Sequence, residues 1–267
     1  MTHYQKLDYS IIKIEGEDSA KFLQSIITND INSETTIYSL MLTPQGKFLF
    51  DFFITPMGND YFIEISTAQL EPFISKLKLY RLRSKVSITH MPEYGTIYSH
   101  QSLDLPKLYE YKDPRHAGLG LRTIMLAGNT SSPLNLYQED KYKLAIPEGY
   151  TELIQDKSMP LEYGLEHLNA ISFTKGCYVG QEVISRTKYQ GVIRKAIFRI
   201  TSEADLSNII PGSIISISDN KIGTLCSSYK NQGIGLIRLE NYEMYKNHGQ
   251  IKMDSLNISL HKATWIP

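Results

Sequence analysis

Cysteine, tryptophan and charge imbalance are what this 267-residue chain has least of: two cysteines, one tryptophan, and 28 basic residues cancelled by 28 acidic ones. Cys177 and Cys226 lie far apart, so no Cys-x-x-Cys zinc or ferredoxin pattern exists and no dense disulfide framework can form. Two thiols cannot supply the four ligands of an iron–sulfur cluster, and no permanently bound metal is expected. Charge balance removes the electrostatic footprint of direct nucleic-acid or membrane-surface binding. No apolar run reaches the roughly 18 residues of a membrane helix, and residues 1–6 lack the apolar stretch of a signal peptide. A soluble, cytoplasmic protein is the expectation. Phosphate-binding Gly-x-x-x-x-Gly-Lys, dinucleotide Gly-x-Gly-x-x-Gly and His-Glu-x-x-His patterns are all missing, which argues against nucleotide and zinc-protease chemistry. Tyrosine is abundant, at 18 residues, but composition alone gives that no further meaning.

The length exceeds one ordinary core of about 100–150 residues, so two or three units are expected. Residues 1–91 alternate strand and helix patterns. Residues 9–14 read as a strand, and Asp18 or Ser19 is placed to cap a helix carrying Ala20, Phe22, Leu23, Ile26 and Ile27 at helical spacing. Residues 38–42 and 48–55 read as a hairpin closed by Thr43-Pro44-Gln45-Gly46-Lys47, where Pro presets one dihedral and Gly supplies the permissive one. Residues 61–66 give another strand, 67–79 a helix, and 86–89 a closing strand. Residues 92–190 are less regular, with a helical stretch at 137–144. In 191–267, short strand patterns at 193–200, 213–217, 221–228, 233–238 and 258–264 predict a small β-barrel or sandwich. The class is α+β. The middle unit is expected to share strands with the first.

The densest chemistry lies between Thr174 and Lys195. Gly176 and Gly180 bracket Cys177, and glycine permits close backbone approach or positive φ. Residues 181–186 read as a helix with Glu182 and Arg186 four apart on one face. A thiol before a helix start and two residues from Lys175 is biased toward thiolate, which makes it a nucleophile, a redox centre or a soft metal ligand. A small buried cysteine in a tight turn is the competing reading. Arg186, Lys188, Arg194 and Lys195 are either a solvated basic turn or a site for an anionic ligand or partner. Cys226 falls in a strand and reads as packing.

The run Lys175-Gly176-Cys177-Tyr178-Val179-Gly180-Gln181-Glu182, followed by Arg186, resembles the signature of the YgfZ-type family. That family is similar to the T-protein of the glycine cleavage system, a tetrahydrofolate-dependent aminomethyltransferase. Gly16 to Gln24, Thr28-Asn29-Asp30-Ile31, Leu42 to Lys47, Asp51, Asp113-Pro114-Arg115, Leu119 to Arg122, Pro160-Leu161-Glu162 and Gly223 to Ser228 extend the resemblance along the chain. It implies three domains around a central opening that receives tetrahydrofolate or a derivative. It also implies assembly or repair of iron–sulfur clusters in client enzymes, some of which modify tRNA, with Cys177 as the functional thiol. By the same resemblance Asp51 is a candidate catalytic or pterin-contacting group, and Asn29, Glu162, Tyr178 and Arg194 are folate-contact candidates. Each has a structural alternative: a strand-end carboxylate, a helix terminator, a helix-start acid, a core ring and a solvated cation. The alternative function is a tetrahydrofolate-dependent aminomethyltransferase or other one-carbon transferase. Glycine cleavage itself is disfavoured, because paired aspartates and an Arg-Leu-Glu run of T-proteins are replaced here by Phe50-Asp51 and Lys143-Leu144-Ala145.

Overall fold

The structure, a computed structural model, describes residues 3–128 and 134–267. The chain runs β1 (Tyr4–Leu7), β2 (Tyr9–Glu15), α1 (Ser19–Ile26), β3 (Ile37–Leu42), β4 (Phe48–Met57), β5 (Asp60–Ser66), α2 (Leu70–Arg81) and β6 (Ser87–His90). It continues through β7 (Tyr94–Ser99), β8 (Tyr109–Lys112), β9 (Leu121–Leu126), α3 (Leu136–Leu144) and, after a 3-10 turn at Pro160–Tyr163, α4 (Gln181–Gln190). The last part holds β10 (Lys195–Thr201), β11 (Ile214–Ile217), β12 (Asn220–Tyr229), β13 (Gln232–Arg238), α5 (Leu239–Tyr245), β14 (Ile251–Met253), β15 (Leu256–Asn257) and β16 (Ser259–Lys262).

Three sheets result, with strand orders β3-β4-β5-β2-β6, β1-β7-β9-β8 and β15-β14-β11-β12-β13-β10-β16. The first carries α1 and α2 on one face, where Phe22, Leu23, Phe73 and Leu77 meet Phe50, Phe52 and Ile54 of β4. Its other face is also buried. There Tyr38, Leu40 and Phe53 join Tyr98, Tyr137, Leu161, Ile184, Ile197 and Ile234 in a core that draws on every part of the chain. A strand buried on both faces reads as a continuous apolar run, which is why β4 is Phe-Leu-Phe-Asp-Phe-Phe-Ile. Asp51 interrupts that run from the strand interior, not from its end.

The turn before β4 forms as its residues dictate: Gly46 takes φ 70° and donates to the Thr43 carbonyl at 2.9 Å. The expected cap of α1 does not form. Asp18 sits at the N-cap without a side-chain cap bond, because its carboxylate accepts the Lys85 N–H at 2.8 Å. Ser19 donates instead to the Gly16 carbonyl. β1 pairs antiparallel with β7 across about ninety residues of sequence, Tyr4 facing Ser99.

Candidate functional site

The Cys177 loop is exposed at its tip and fixed at its base. Cys177 and Gly176 are open to solvent, while Lys175 and Tyr178 on either side are buried. Lys175 is not spent on the thiol. Its ammonium donates to the carbonyls of Gln24 at 2.8 Å, Ile27 at 2.7 Å and Asn29 at 2.9 Å. These are the orphan acceptors at and just beyond the C-terminus of α1, where a cation is favoured. Burial lowers the Lys175 ammonium to about 8, opposed by Asp30. The Tyr178 ring lies 5.1 Å from that ammonium. Its hydroxyl is buried without a hydrogen-bond partner, and burial raises it to about 12. Gly180 caps α4 at φ 86°. A side chain there would meet the Thr43 carbonyl at 2.5 Å, so the Cys177 loop and the β3–β4 turn touch backbone to backbone. Gln181 and Glu182 open α4, and Arg186 follows one turn later, with Glu182 and Arg186 both exposed. Cys226 is different: burial, then Glu152, push its thiol up to about 12, so it stays protonated in β12.

Asp51 lies inside the molecule. It accepts the Tyr38 hydroxyl at 2.8 Å and the Gly149 N–H, while burial pushes its carboxyl above the usual range. Gly149 has no alternative residue, because a Cβ would stand 2.0 Å from Asp51 Oδ1. Next to it Arg115 grips Asp113 through Nε at 2.9 Å and Nη2 at 2.6 Å, and reaches Tyr137 at 3.0 Å and Glu148 at 3.3 Å. Its guanidinium stacks 4.9 Å from the Phe53 ring and 5.4 Å from Tyr38. Arg122 pairs with Glu64 and lies 4.4 Å over Tyr9 and 4.3 Å over Phe53. Lys141 bridges Glu148 at 3.1 Å and Glu152 at 2.9 Å. Despite burial, Lys141 and Arg115 hold Glu148 at about 2.

Asp51 apart, sequence reasoning assigned no role to this network. Arg115 and Arg122 fall within stretches that carried the resemblance, and the tyrosine excess was its one compositional trace. Guanidiniums this deep need aromatic faces and carboxylates around them, and Tyr9, Tyr38, Phe53 and Tyr137 supply the faces.

Of the five folate-contact candidates, Asn29 and Tyr178 meet around the Lys175 ammonium, and Glu162 and Arg194 share a cleft. Asn29 donates its amide to the carbonyls of Tyr38 at 2.9 Å and Asn169 at 2.7 Å, a stitch between segments. Glu162 and Arg194 line a cleft of about 630 Å³ with Val192, Lys195 and Arg238, but without Asp51, Asn29 or Tyr178. A second cavity, about 270 Å³, lies against Tyr9, Tyr137, Glu148 and Gly149 and contains none of the five. Among the described residues no three His, Cys, Asp or Glu side chains are placed to hold a metal ion, and no helix is long and apolar enough to cross a membrane.

Residues 194–267 match the family model of the CAF17 C-terminal β-barrel domain. The chain is 34% identical over 221 residues to the mitochondrial iron–sulfur cluster assembly factor IBA57 homolog of Neurospora crassa, over 70% of this chain and 50% of that protein. It is 27% identical over 271 residues to mouse mitochondrial IBA57, covering 86% of this chain and 76% of the mouse protein. The chain thus spans about half the length of the fungal relative. The crystal structure of the glycine cleavage system aminomethyltransferase T from Bartonella henselae superimposes with a TM-score of 0.74 at 12% identity, covering 99% of this chain and 87% of that one. The fold is therefore the aminomethyltransferase fold, mixed α and β with a C-terminal β-barrel domain. These relatives carry the IBA57 name, not YgfZ, and nothing in them bears on tRNA modification. They are named mitochondrial, which overturns the cytoplasmic expectation. A low cysteine count is common to several compartments.

Proposed function

For a chain that is IBA57-like in sequence and aminomethyltransferase-like in fold, we propose the role of an iron–sulfur cluster assembly factor, working through the Cys177 thiol. The mitochondrion is the proposed compartment, and assembly or client proteins are the proposed partners. The observation that carries the reading is the contrast within one loop. Cys177 is exposed while Lys175, Tyr178 and Gly180 on both sides are locked into the body. A thiol held out on an anchored base suits a single, reproducible bond to a partner-borne cluster. One thiolate is a quarter of the usual ligand set, so the remaining ligands belong to the partner, and the cluster is cargo. In cells lacking the protein, Cys177→Ser is expected to accumulate and fold normally yet leave a [4Fe–4S] enzyme at the activity of the deletion strain. Full restoration of that activity rejects the thiol's role.

A second reading, a tetrahydrofolate-dependent one-carbon transferase, draws on the cavity beside Gly149 and the carboxyl of Asp51 behind it. Against it stands the lining of that cavity, which includes none of Asn29, Glu162, Tyr178 and Arg194. Calorimetric titration with tetrahydrofolate, before and after alkylation of Cys177, separates the readings. Saturable binding unaffected by alkylation favours the transferase, and no binding removes it.

A further inference from the structure

The cleft that holds Glu162 and Arg194 sits between the Pro160–Tyr163 turn, the link from α4 to β10, and the start of α5. Lys195 and Arg238 face each other in register across β10 and β13. Like charges directly opposite on paired strands are unfavourable. Lys195 is relieved by Glu162 at 3.0 Å. Arg238 and Arg194 are both exposed, and among the described residues neither guanidinium meets a hydrogen-bond or ion-pair partner. The nearby acid, Glu240, leaves the cleft with a net positive charge: three cations against Glu162 and Glu240. The cleft is also part apolar. Ile193 and Leu239 contribute to its lining, Val192 on its rim is 78% exposed, and Tyr189, at the end of α4, is 70% exposed.

Cys177 lies just before the first turn of α4, and the cleft lies just after the last. Ten helical residues separate them, about 15 Å at the helical rise. The exposed side chains of Glu182, Arg186, Tyr189 and Gln190 run between the two points. We propose that this strip is one docking surface, and that the cleft receives an acidic, apolar-anchored segment of the protein whose cluster meets Cys177. This rests on the assembly role proposed above and adds the chemistry of the partner. Two unpaired guanidiniums provide bidentate donors for carboxylates, and the exposed Val192 and Tyr189 provide an anchor surface of the kind aromatic and aliphatic contacts dominate. Free small polycarboxylates would use the cations and leave these side chains uncovered.

The test uses the full-length chain and a fluorescent peptide of Glu and Leu, with its Lys and Leu counterpart as control, read by anisotropy. The wild type is expected to bind the acidic peptide, less tightly as salt is added, and to ignore the basic one. The double variant Arg194→Glu/Arg238→Glu is expected to bind the acidic peptide about tenfold or more weakly and to gain the basic one. Both positions are exposed, so an unchanged urea midpoint verifies the fold. Equal acidic-peptide binding by the reversed variant overturns the proposal. Displacement of the peptide by free triglutamate at equal concentration assigns the cleft to a small polycarboxylate and also overturns it. A wild-type dimer dispersed by the double reversal assigns the surface to a second copy, with the same consequence. Cys177→Ser is expected to bind the acidic peptide as the wild type does, so the thiol's role and the cleft's role fail separately. In cells, the reversed variant with Cys177 intact is expected to lower [4Fe–4S] enzyme activity several-fold, and full activity there sinks the docking role.

Discussion

Lys175 shows how a side chain's neighbours in sequence mislead about its work. Two residues from Cys177, it reads as a cation that would acidify the thiol. In the fold its ammonium is enclosed by the carbonyls of Gln24, Ile27 and Asn29, all within 2.9 Å. Those acceptors stand about 150 residues upstream, and no spacing rule announces them. Removing the donor leaves three largely buried oxygens short of a partner, each a sizeable desolvation cost. Lys175→Met is therefore expected to lower stability by about 2 kcal/mol in urea unfolding at neutral pH. Cys177→Ser, at an exposed position, is expected to stay within about 0.5 kcal/mol of the wild type. Equal effects of the two substitutions would mean that the lysine does not anchor the loop. Cys177 itself is exposed, which removes the reading of a small buried cysteine in a tight turn.

At the scale of elements, those two glycines prove unlike. Gly176 has nothing within 4 Å of where a Cβ would lie, whereas Gly180 combines φ 86° with the Thr43 carbonyl at 2.5 Å. Positive φ strains any other residue, and a backbone oxygen cannot step aside cheaply. Gly180→Ala is expected to cost about 2–3 kcal/mol, and Gly176→Ala about nothing, both read by denaturant midpoint. A neutral Gly180→Ala would show that the loop and the β3–β4 turn are not in backbone contact. Periodicity located α1, the β3–β4 hairpin and most strands of the C-terminal sheet, because each has one consistent face to bury. It missed all four strands of the second sheet, β1, β7, β9 and β8. β9 reads Leu-Arg-Thr-Ile-Met-Leu, and a charged residue inside a short run argues against a buried strand. Arg122 is tolerated there only because Glu64 from β5 and the rings of Tyr9 and Phe53 close around it, a provision visible only after the sheets have packed.

Across the whole molecule, the same logic joins the middle of the chain to the barrel. Glu148 accepts from Tyr137, Lys141 and Arg115. Lys141 passes on to Glu152, and Glu152 takes the Ser227 hydroxyl of β12 at 2.5 Å. Trp265 adds a second tie, donating to the Leu144 carbonyl at 2.8 Å. Glu148 is held at about 2, well below its usual 4.5, because Lys141 and Arg115 outweigh the burial that opposes them. An acid whose folded value is depressed binds more protons unfolded than folded between the two values, so stability rises with pH there. Its contribution is complete above about pH 4.5 and drains away as pH falls toward 2. Glu152, pushed upward by burial, has the opposite slope, disfavouring the fold as pH rises through its titration. Glu148→Gln keeps the shape, removes the charge, and leaves Arg115 and Lys141 undercompensated in a largely buried site. A loss of about 3 kcal/mol is expected at pH 7, in the range found when one partner of a buried pair is removed. The gap should close as pH approaches 2, where the wild-type carboxylate is itself protonated. Urea unfolding from pH 2 to pH 7 reads both at once. Parallel curves for the two proteins would mean that Glu148 is not the charge on which the interior of this fold is balanced.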